Sequence, residues 1–426
     1  MTRIQQPMKK PWKILISAYA CKPKIGSEGG VGWSTVRELA RHCQEVWLIT
    51  RKDNHPSIEA ELQLNPLPEL KVYYYDLPQW LIWWRKERTV VYLHYYFWQL
   101  GIYFAARNLH SQEKFDLIHH VTYGRYCYPV FLALLPVPFI WGPVGGGEVA
   151  PKGFWKNFDR QGKLHELLRS LSCRIGEFDP FVKLTAKRSA MILVCTRETS
   201  DRVTKLGAKR VKQILGQTGI DREDWEILEK HTISPNHNPI RFISIGRLLH
   251  WKGFDLGLRA FARANIPESE YWIVGDGSQR SQLETLVREL GIVNKVKFLG
   301  ELSRHQTLEI LGTSSVLIHP SLHDFSPTVC IEAMAAGKPV ICLDLGGPAV
   351  QITDTSGFKV KARNAGEAIT GICEAMQKLA VNREMVSTMA IAAKTRAREE
   401  YTWDIKGLSI VRLYEEVLHR EVLTHA

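Results

Sequence analysis

The chain has 426 residues, 45% hydrophobic and 23% charged, with 31 glycines and 20 prolines scattered along it; this excludes a disordered, collagenous or fibrous protein and fits two or three globular domains at roughly 150 residues each. The net charge of +12 would suit a nucleic-acid or membrane partner, but it is uneven: residues 1–238 hold 34 Lys/Arg against 23 Asp/Glu, and residues 239–426 hold 22 against 21. Eight cysteines stand singly, without a CxxC pair or zinc-ligand spacing, and read as buried thiols of a reducing compartment.

Lys9 and Lys10 before the apolar run Ile14 to Ala20 imitate a secretory leader. Seven apolar residues leading into a glycine-rich stretch read better as a first buried strand, so a cytoplasmic protein is expected. That strand, Lys13 to Ala20, is followed by Gly26-Ser-Glu-Gly29-Gly30-Val-Gly32, a helix through Val31, Val36, Leu39 and Ala40, and a second strand Val46 to Thr50. The glycines would let backbone approach a phosphate at the helix N-terminus, or serve only a tight turn. Neither GxGxxG nor a P-loop is spelled, and Thr50-Arg51 stands where a dinucleotide site has an acidic residue, which disfavours a nicotinamide enzyme.

Residues 73–104 are dense in Tyr, Trp and Phe, and from Thr89 to Ala106 only His94 can carry a positive charge. Eighteen residues barely reach spanning length; the tyrosines and Gln99 suit a buried helix, with an interfacial one as the alternative. Between Lys152 and Arg188, nine Lys/Arg face four Asp/Glu, interleaved with Phe154, Trp155, Phe158, Phe178 and Phe181. Such a stretch suits an anionic membrane surface, or a solvated basic face.

Short apolar runs alternate with helical periods nearly throughout, the pattern of parallel sheets with crossover helices. A second series starts at Ile240: strand Arg241 to Ile245, helix from Phe254, strand Tyr271 to Val274, helix from Gln279, strand Val296 to Leu299. The polar, proline-containing segment 230–239 reads as a linker. The expected architecture is therefore α/β, two Rossmann-like domains (13–229 and 240–400) facing a cleft, with the amphipathic helix in 401–426 crossing back to the first.

The second series carries the denser signals. Gly246-Arg247 and Lys252-Gly253 place two cations at a strand's carboxyl edge, suited to a diphosphate. Gly275-Asp276-Gly277 follows the next strand. After the strand Val316 to His319 comes Ser321-Leu-His-Asp324-Phe-Ser326-Pro327-Thr328-Val-Cys-Ile-Glu332-Ala-Met-Ala-Ala-Gly-Lys-Pro339. Pro327 suits a first helical turn, and Asp324 and Glu332 bracket that helix start as acceptors for hydroxyls.

Together these motifs resemble the nucleotide-sugar half of retaining glycosyltransferases of family 4, with the GT-B fold. Ala20 to Trp33, Asp116-Leu-Ile-His119-His120 and Trp141-Gly-Pro-Val-Gly-Gly-Gly-Glu148 resemble the acceptor half of bacterial members. The resemblance implies sugar transfer from a nucleotide diphosphate sugar, serving as co-substrate without a metal or other cofactor; no Asp-x-Asp occurs. Arg247 and Lys252 would neutralise the leaving diphosphate, Glu332 would hold the ribose, and Asp324 the donor sugar. Gly246, Gly275, Ser326, Pro327 and Thr328 would line the donor, the amides around Ser326 to Thr328 meeting its phosphates at the helix N-terminus, with Gly29 and Gly30 closing on it. The expected acceptor is a saccharide or a lipid-linked glycan in cell-surface polysaccharide or glycolipid synthesis; the basic, aromatic stretch 152–188 suggests docking at the inner face of a membrane, and the charge lacks a recognisable nucleic-acid-binding module.

Two departures stand out. The family's carboxylate pair usually begins with Glu, so the shorter Asp324 would shift its contact or share it with His323. The His many relatives carry after the strand ending at Trp141 is absent, leaving His119, His120 and Glu148 as acceptor-side candidates, with a structural hydrogen-bonding role as the alternative for the two histidines. An epimerase of the same fold and an inactive nucleotide-sugar-binding protein remain alternative readings.

Overall fold

The computed structural model describes residues 9–26, 28–78, 91–234 and 237–425. Trp80, Trp83, Trp84 and Thr89 of the aromatic stretch, Ser27, and Pro235 and Asn236 of the expected linker lie outside them. Two compact units emerge, the first made of residues 1–147, 171–214 and 403–426, the second of 148–170 and 215–402.

Elements of the chain up to the end of the first sheet run β1 (Lys10–Ala18), α1 (Glu28–His42), β2 (Cys43–Thr50), α2 (His55–Leu64), β3 (Leu70–Tyr74), α3 (Val91–Glu113), β4 (Leu117–Thr122), β5 (Phe139–Val144), α4 (Arg160–Phe178), α5 (Pro180–Arg188), β6 (Met191–Val194), α6 (Arg197–Lys205) and β7 (Val211–Gln213). Among the described residues the first unit holds a parallel seven-stranded sheet in the order β3-β2-β1-β4-β5-β6-β7. Ile14, Leu15 and Ile16 have no exposed surface, as a strand covered on both faces requires. Helix α3 buries His94, Trp98 and Gln99 and leaves Leu93, Phe97 and Phe104 exposed; among the described residues no helix is long and apolar enough to cross a membrane.

The chain continues with α7 (Arg222–His231), β8 (Ile240–Ile245), α8 (Phe254–Ala264), β9 (Ser269–Val274), α9 (Arg280–Glu289), β10 (Val296–Gly300), α10 (Arg304–Gly312), β11 (Val316–His319), α11 (Thr328–Ala335), β12 (Val340–Leu343), α12 (Gly346–Gln351), β13 (Gly357–Val360), α13 (Ala365–Val381), α14 (Arg383–Glu400) and α15 (Trp403–His425). Among the described residues the second unit holds a parallel six-stranded sheet, β10-β9-β8-β11-β12-β13. The two doubly wound sheets are the Rossmann-like pair that the alternating pattern predicts.

The unit boundaries differ from those expected. The change of unit falls at Ile214/Leu215 rather than at 230–239, because Ile220 and Leu228 join the second core. The Ile220 amide donates to the Tyr401 carbonyl at 2.8 Å, and the supposed linker is docked, the Ile233 amide donating to Gly312 O at 3.1 Å and its carbonyl accepting from Lys338 Nζ at 2.8 Å. Residues 148–170 also belong to the second unit, where Ala150, Phe154 and Phe158 are core. Two aromatics read as lipid-facing are thus buried packing residues. Helix α15 packs in the first unit, with Trp403, Tyr414 and Val417 in the core of α1 and the β1–β2 region. All eight cysteines are buried and none is joined in a disulfide.

Candidate functional site

In the second unit, β8 and β11 are neighbours from which the strand order runs outward in both directions, the switch point where such sheets open a crevice at their carboxyl ends. The chain leaves β8 through Gly246 and the exposed Arg247, then makes a tight turn over His250–Lys252. Gly253 closes that turn at φ 67°, and a Cβ there would stand 2.2 Å from the Pro320 carbonyl oxygen. Only glycine meets both demands, and it presses the Lys252 turn against the exit of β11. A Cβ on Gly275, at φ 124°, would lie 2.1 Å from the Gly246 carbonyl, so the β9 exit abuts the β8 exit, and Leu248 donates its amide to Asp276 O at 2.9 Å. Gly246, Gly275 and Gly277 are thus brought together with Arg247.

Lys252 Nζ donates to Asp324 Oδ2 at 2.6 Å, and His319 Nε2–H donates to the same oxygen at 3.0 Å. Burial would push the Asp324 carboxyl up, but the Lys252 ammonium and the His319 hydrogen bond outweigh it and hold the pKa well below the usual carboxylate range. The group is ionised at neutral pH, and burial keeps His319 below its ordinary value, neutral and donating. Lys252 and Asp324 keep 18% and 20% of their side-chain surface exposed, so a ligand can reach both. Sequence reasoning missed His319, although its place as the last residue of a parallel strand was a signal.

Ser326 is buried, its Oγ accepting the Gln217 amide at 3.0 Å. Pro327 stands at the start of α11 without a side-chain cap, so helix amides beginning at Thr328 face the same loop. Glu332 lies inside α11, its side chain 4% exposed, and one carboxylate oxygen is taken by Arg304 Nη1 while Arg304 Nη2 donates to Asp224 Oδ2 at 2.6 Å. Arg304 and Asp224 carried no sequence signal. His323 does not share the task of Asp324: it is buried, and its Nε2 donates to Glu166 Oε1 at 2.9 Å.

In the first unit the expected glycine loop is already helix, since α1 begins at Glu28 and contains Gly29, Gly30 and Gly32. A Cβ on Gly30 would meet Ile25 O at 1.9 Å, and one on Gly32 would meet Ala20 O at 2.3 Å. Close approach by their own preceding loop accounts for these glycines.

His119 and His120 are buried strand residues with both ring nitrogens engaged. His119 Nε2–H donates to Gly142 O at 2.6 Å while Nδ1 faces Tyr414 Oη at 2.7 Å; His120 faces Tyr95 Oη at 2.9 Å and Ser17 Oγ at 3.1 Å. They are core hydrogen-bonders, which corrects their reading as acceptor-side candidates. Glu148, also read as acceptor-side, belongs to the second unit, where it is buried with its Cγ 3.5 Å from the place a Cβ on Gly346 would take.

Burial lowers the two histidines to about 4 and about 3. A folded-state pKa below the unfolded value of about 6.5 means that only the unfolded chain takes up these protons as the medium turns acidic. Their contribution is complete above about pH 6.5 and falls as pH drops towards 4 and then 3. The urea midpoint is expected to fall between pH 7 and pH 5, with a shallower decline in His119→Gln; parallel declines in the two proteins would refute this.

Residues 226–395 match the family model described as glycosyl transferases group 1. Among curated proteins, the chain is 23% identical over 232 residues to glycogen synthase of Mycobacterium tuberculosis (54% of each chain) and 30% identical over 198 residues to the lipopolysaccharide core biosynthesis glycosyltransferase LpsE of Rhizobium meliloti (43% of this chain, 56% of that one). The chain spans about half the length of the curated relatives it matches. Among solved structures it is similar to sucrose-phosphate synthase from Thermosynechococcus elongatus (TM-score 0.62, 16% identity, 96% of this chain and 100% of that one) and to Anabaena HepE in complex with UDP and glucose (TM-score 0.60, 16% identity, 95% and 99%). The fold is the GT-B pair of parallel-sheet Rossmann-like domains.

Proposed function

We propose that this chain, with the group 1 glycosyl transferase pattern in its second unit, is a retaining transferase of family 4 that moves a sugar from a nucleotide diphosphate sugar to a saccharide or lipid-linked acceptor. The observation that carries the reading is the Lys252–Asp324 pair at 2.6 Å, set at the β8/β11 switch point beside the exposed Arg247. As the glycosidic bond breaks, negative charge gathers on the diphosphate; Lys252 and Arg247 are the cations placed to meet it, and the amides at the start of α11 add to them. Asp324, held ionised, accepts hydroxyl hydrogen bonds from the donor sugar. Glu332 is the candidate for the ribose through whichever acceptor capacity Arg304 leaves to it. Neutralisation by side chains is why no metal is assigned to this chemistry. UDP and glucose in the HepE structure make UDP-sugars the first donors to try. A thermal-shift panel of UDP-, GDP- and ADP-sugars is expected to raise the melting temperature with one base only; no shift with any of them would count against the reading.

The acceptor we favour is held at an anionic membrane, in cell-surface polysaccharide or glycolipid synthesis, with the enzyme peripheral on the cytoplasmic face. Support comes from α4, which leaves Leu164, Leu167, Leu168, Leu171, Ile175 and Phe178 each at least half exposed. Their spacing follows one face of a helix, and Arg160, Lys163, Arg169 and Arg174 lie on the same helix, the make-up of an interfacial segment. Co-sedimentation with phosphatidylglycerol vesicles at low salt is expected for the full chain and is expected to be lost in Leu168→Glu/Ile175→Glu; equal sedimentation of both, or none with the unaltered chain, would remove the membrane from the account.

A further inference from the structure

We propose that Glu166 is a positioning residue whose one buried carboxylate oxygen ties the turn carrying Lys252 to the loop carrying Asp324. For its catalytic consequence the inference rests on the reading of those two residues as donor-handling. Glu166 comes from α4, in a stretch that belongs to the second unit, and its side chain is 1% exposed. Oε1 accepts from His250 Nε2 at 3.2 Å and from His323 Nε2 at 2.9 Å. His250 opens the turn that ends at Lys252, and His323 immediately precedes Asp324. Trp251, the residue after His250, stacks on His323 at 5.3 Å and 17° and on His165 at 4.9 Å and 14°. Its carbonyl accepts the Leu322 amide at 2.8 Å.

A carboxylate suits this task because an ionised acceptor makes stronger hydrogen bonds than a neutral one, and a single oxygen that serves both donors fixes the distance between them. Burial would push Glu166 up, but the hydrogen bonds from His250 and His323 hold it well below the usual carboxylate range. Removing the carboxylate leaves two largely buried imidazole N–H groups without this acceptor. The loops would then lose their common anchor, and with it the register that sets Lys252 Nζ against Asp324 Oδ2 at 2.6 Å. A misplacement of about 1 Å in a reacting constellation can cost on the order of 100-fold in rate.

The test compares Glu166→Ala and Glu166→Gln with the unaltered full chain, first by hydrogen–deuterium exchange without nucleotide. Glu166→Ala is expected to raise exchange in 248–253 and in 321–326 together, and Glu166→Gln, which keeps an accepting oxygen, to retain most of the protection. With the donor selected by the thermal-shift panel, kcat in Glu166→Ala is expected to drop by about 10- to 100-fold with little change in KM, and Glu166→Gln to recover most of it. Unchanged exchange in either loop, a loss spread over the whole second unit, or a rise in KM at constant kcat overturns the proposal. So does one zinc ion per chain bound through Glu166, because ligating atoms of His165, Glu166 and His250 lie within 4.8 Å of one another and the carboxylate would then be a metal ligand. If the unaltered chain transfers sugar from no donor, the functional reading fails, while the exchange data still decide whether Glu166 ties the loops.

Discussion

Lys252→Ala is expected to lower turnover by about 10²- to 10³-fold, the loss seen when one preorganised donor to a developing negative charge is removed. The ammonium sits at the carboxyl edge of the second sheet, in a turn that Gly253 presses against Pro320, so close backbone packing sets where it stands. Its effect on KM is expected to be smaller, because charge on the diphosphate grows between ground state and transition state. A second consequence separates loss of a cation from loss of fold. With Lys252 gone, burial of Asp324 is opposed by His319 but no longer by the ammonium, so the carboxyl pKa rises and the acidic limb of the pH–rate profile moves to higher pH. Arg247→Ala removes an exposed cation and is expected to cost less. Near-normal turnover in Lys252→Ala, measured by release of the nucleotide diphosphate, would place the chemistry elsewhere.

Arg304→Ala is expected to destabilise the protein by about 2–3 kcal/mol. Arg304 bridges Asp224 and Glu332, whose side chains are 17% and 4% exposed, and taking away one member of a buried pair leaves the other charge uncompensated at a cost of roughly 3–5 kcal/mol. The arginine keeps 28% of its side-chain surface in solvent, which brings the expectation towards the lower end, since water can partly replace it. A lower urea midpoint with an unchanged m-value would report this loss. Adding Glu332→Gln, which removes the stranded charge, should restore part of the stability. No change of midpoint in Arg304→Ala would show that Glu332 does not depend on the arginine and is free for a ligand in full.

The features legible in the sequence were those with a local signal. Apolar runs marked β1, β8, β9 and β11, and a proline at the right offset marked the start of α11 at Thr328. The loops after β8, β9 and β11 were recognisable by glycine and charge at strand ends, and the fold brings them together. What escaped was set by partners far along the chain. The contacts of Glu166 span 84 and 157 residues to His250 and His323, and that of Glu332 spans 28 to Arg304; no window of sequence shows such pairs. The glycines of α1 were ambiguous for a related reason: closeness of Gly30 and Gly32 to the Ile25 and Ala20 carbonyls demands the same residue as closeness to a phosphate. His119 and His120 stand near a strand end and so became acceptor-side candidates, but Tyr414, 295 residues on, closes over the first and Tyr95 over the second. The unit boundary was misplaced because Pro and polar residues in 230–239 marked a loop docked on its own unit.

The most direct measurement is calorimetric titration of the full chain with the nucleotide diphosphate of the donor base selected by thermal shift. One binding site per chain is expected, weakened at least tenfold in Arg247→Ala/Lys252→Ala while the protein remains folded. Equal affinity in the two proteins, or no binding of any nucleotide diphosphate to the unaltered chain, would contradict it.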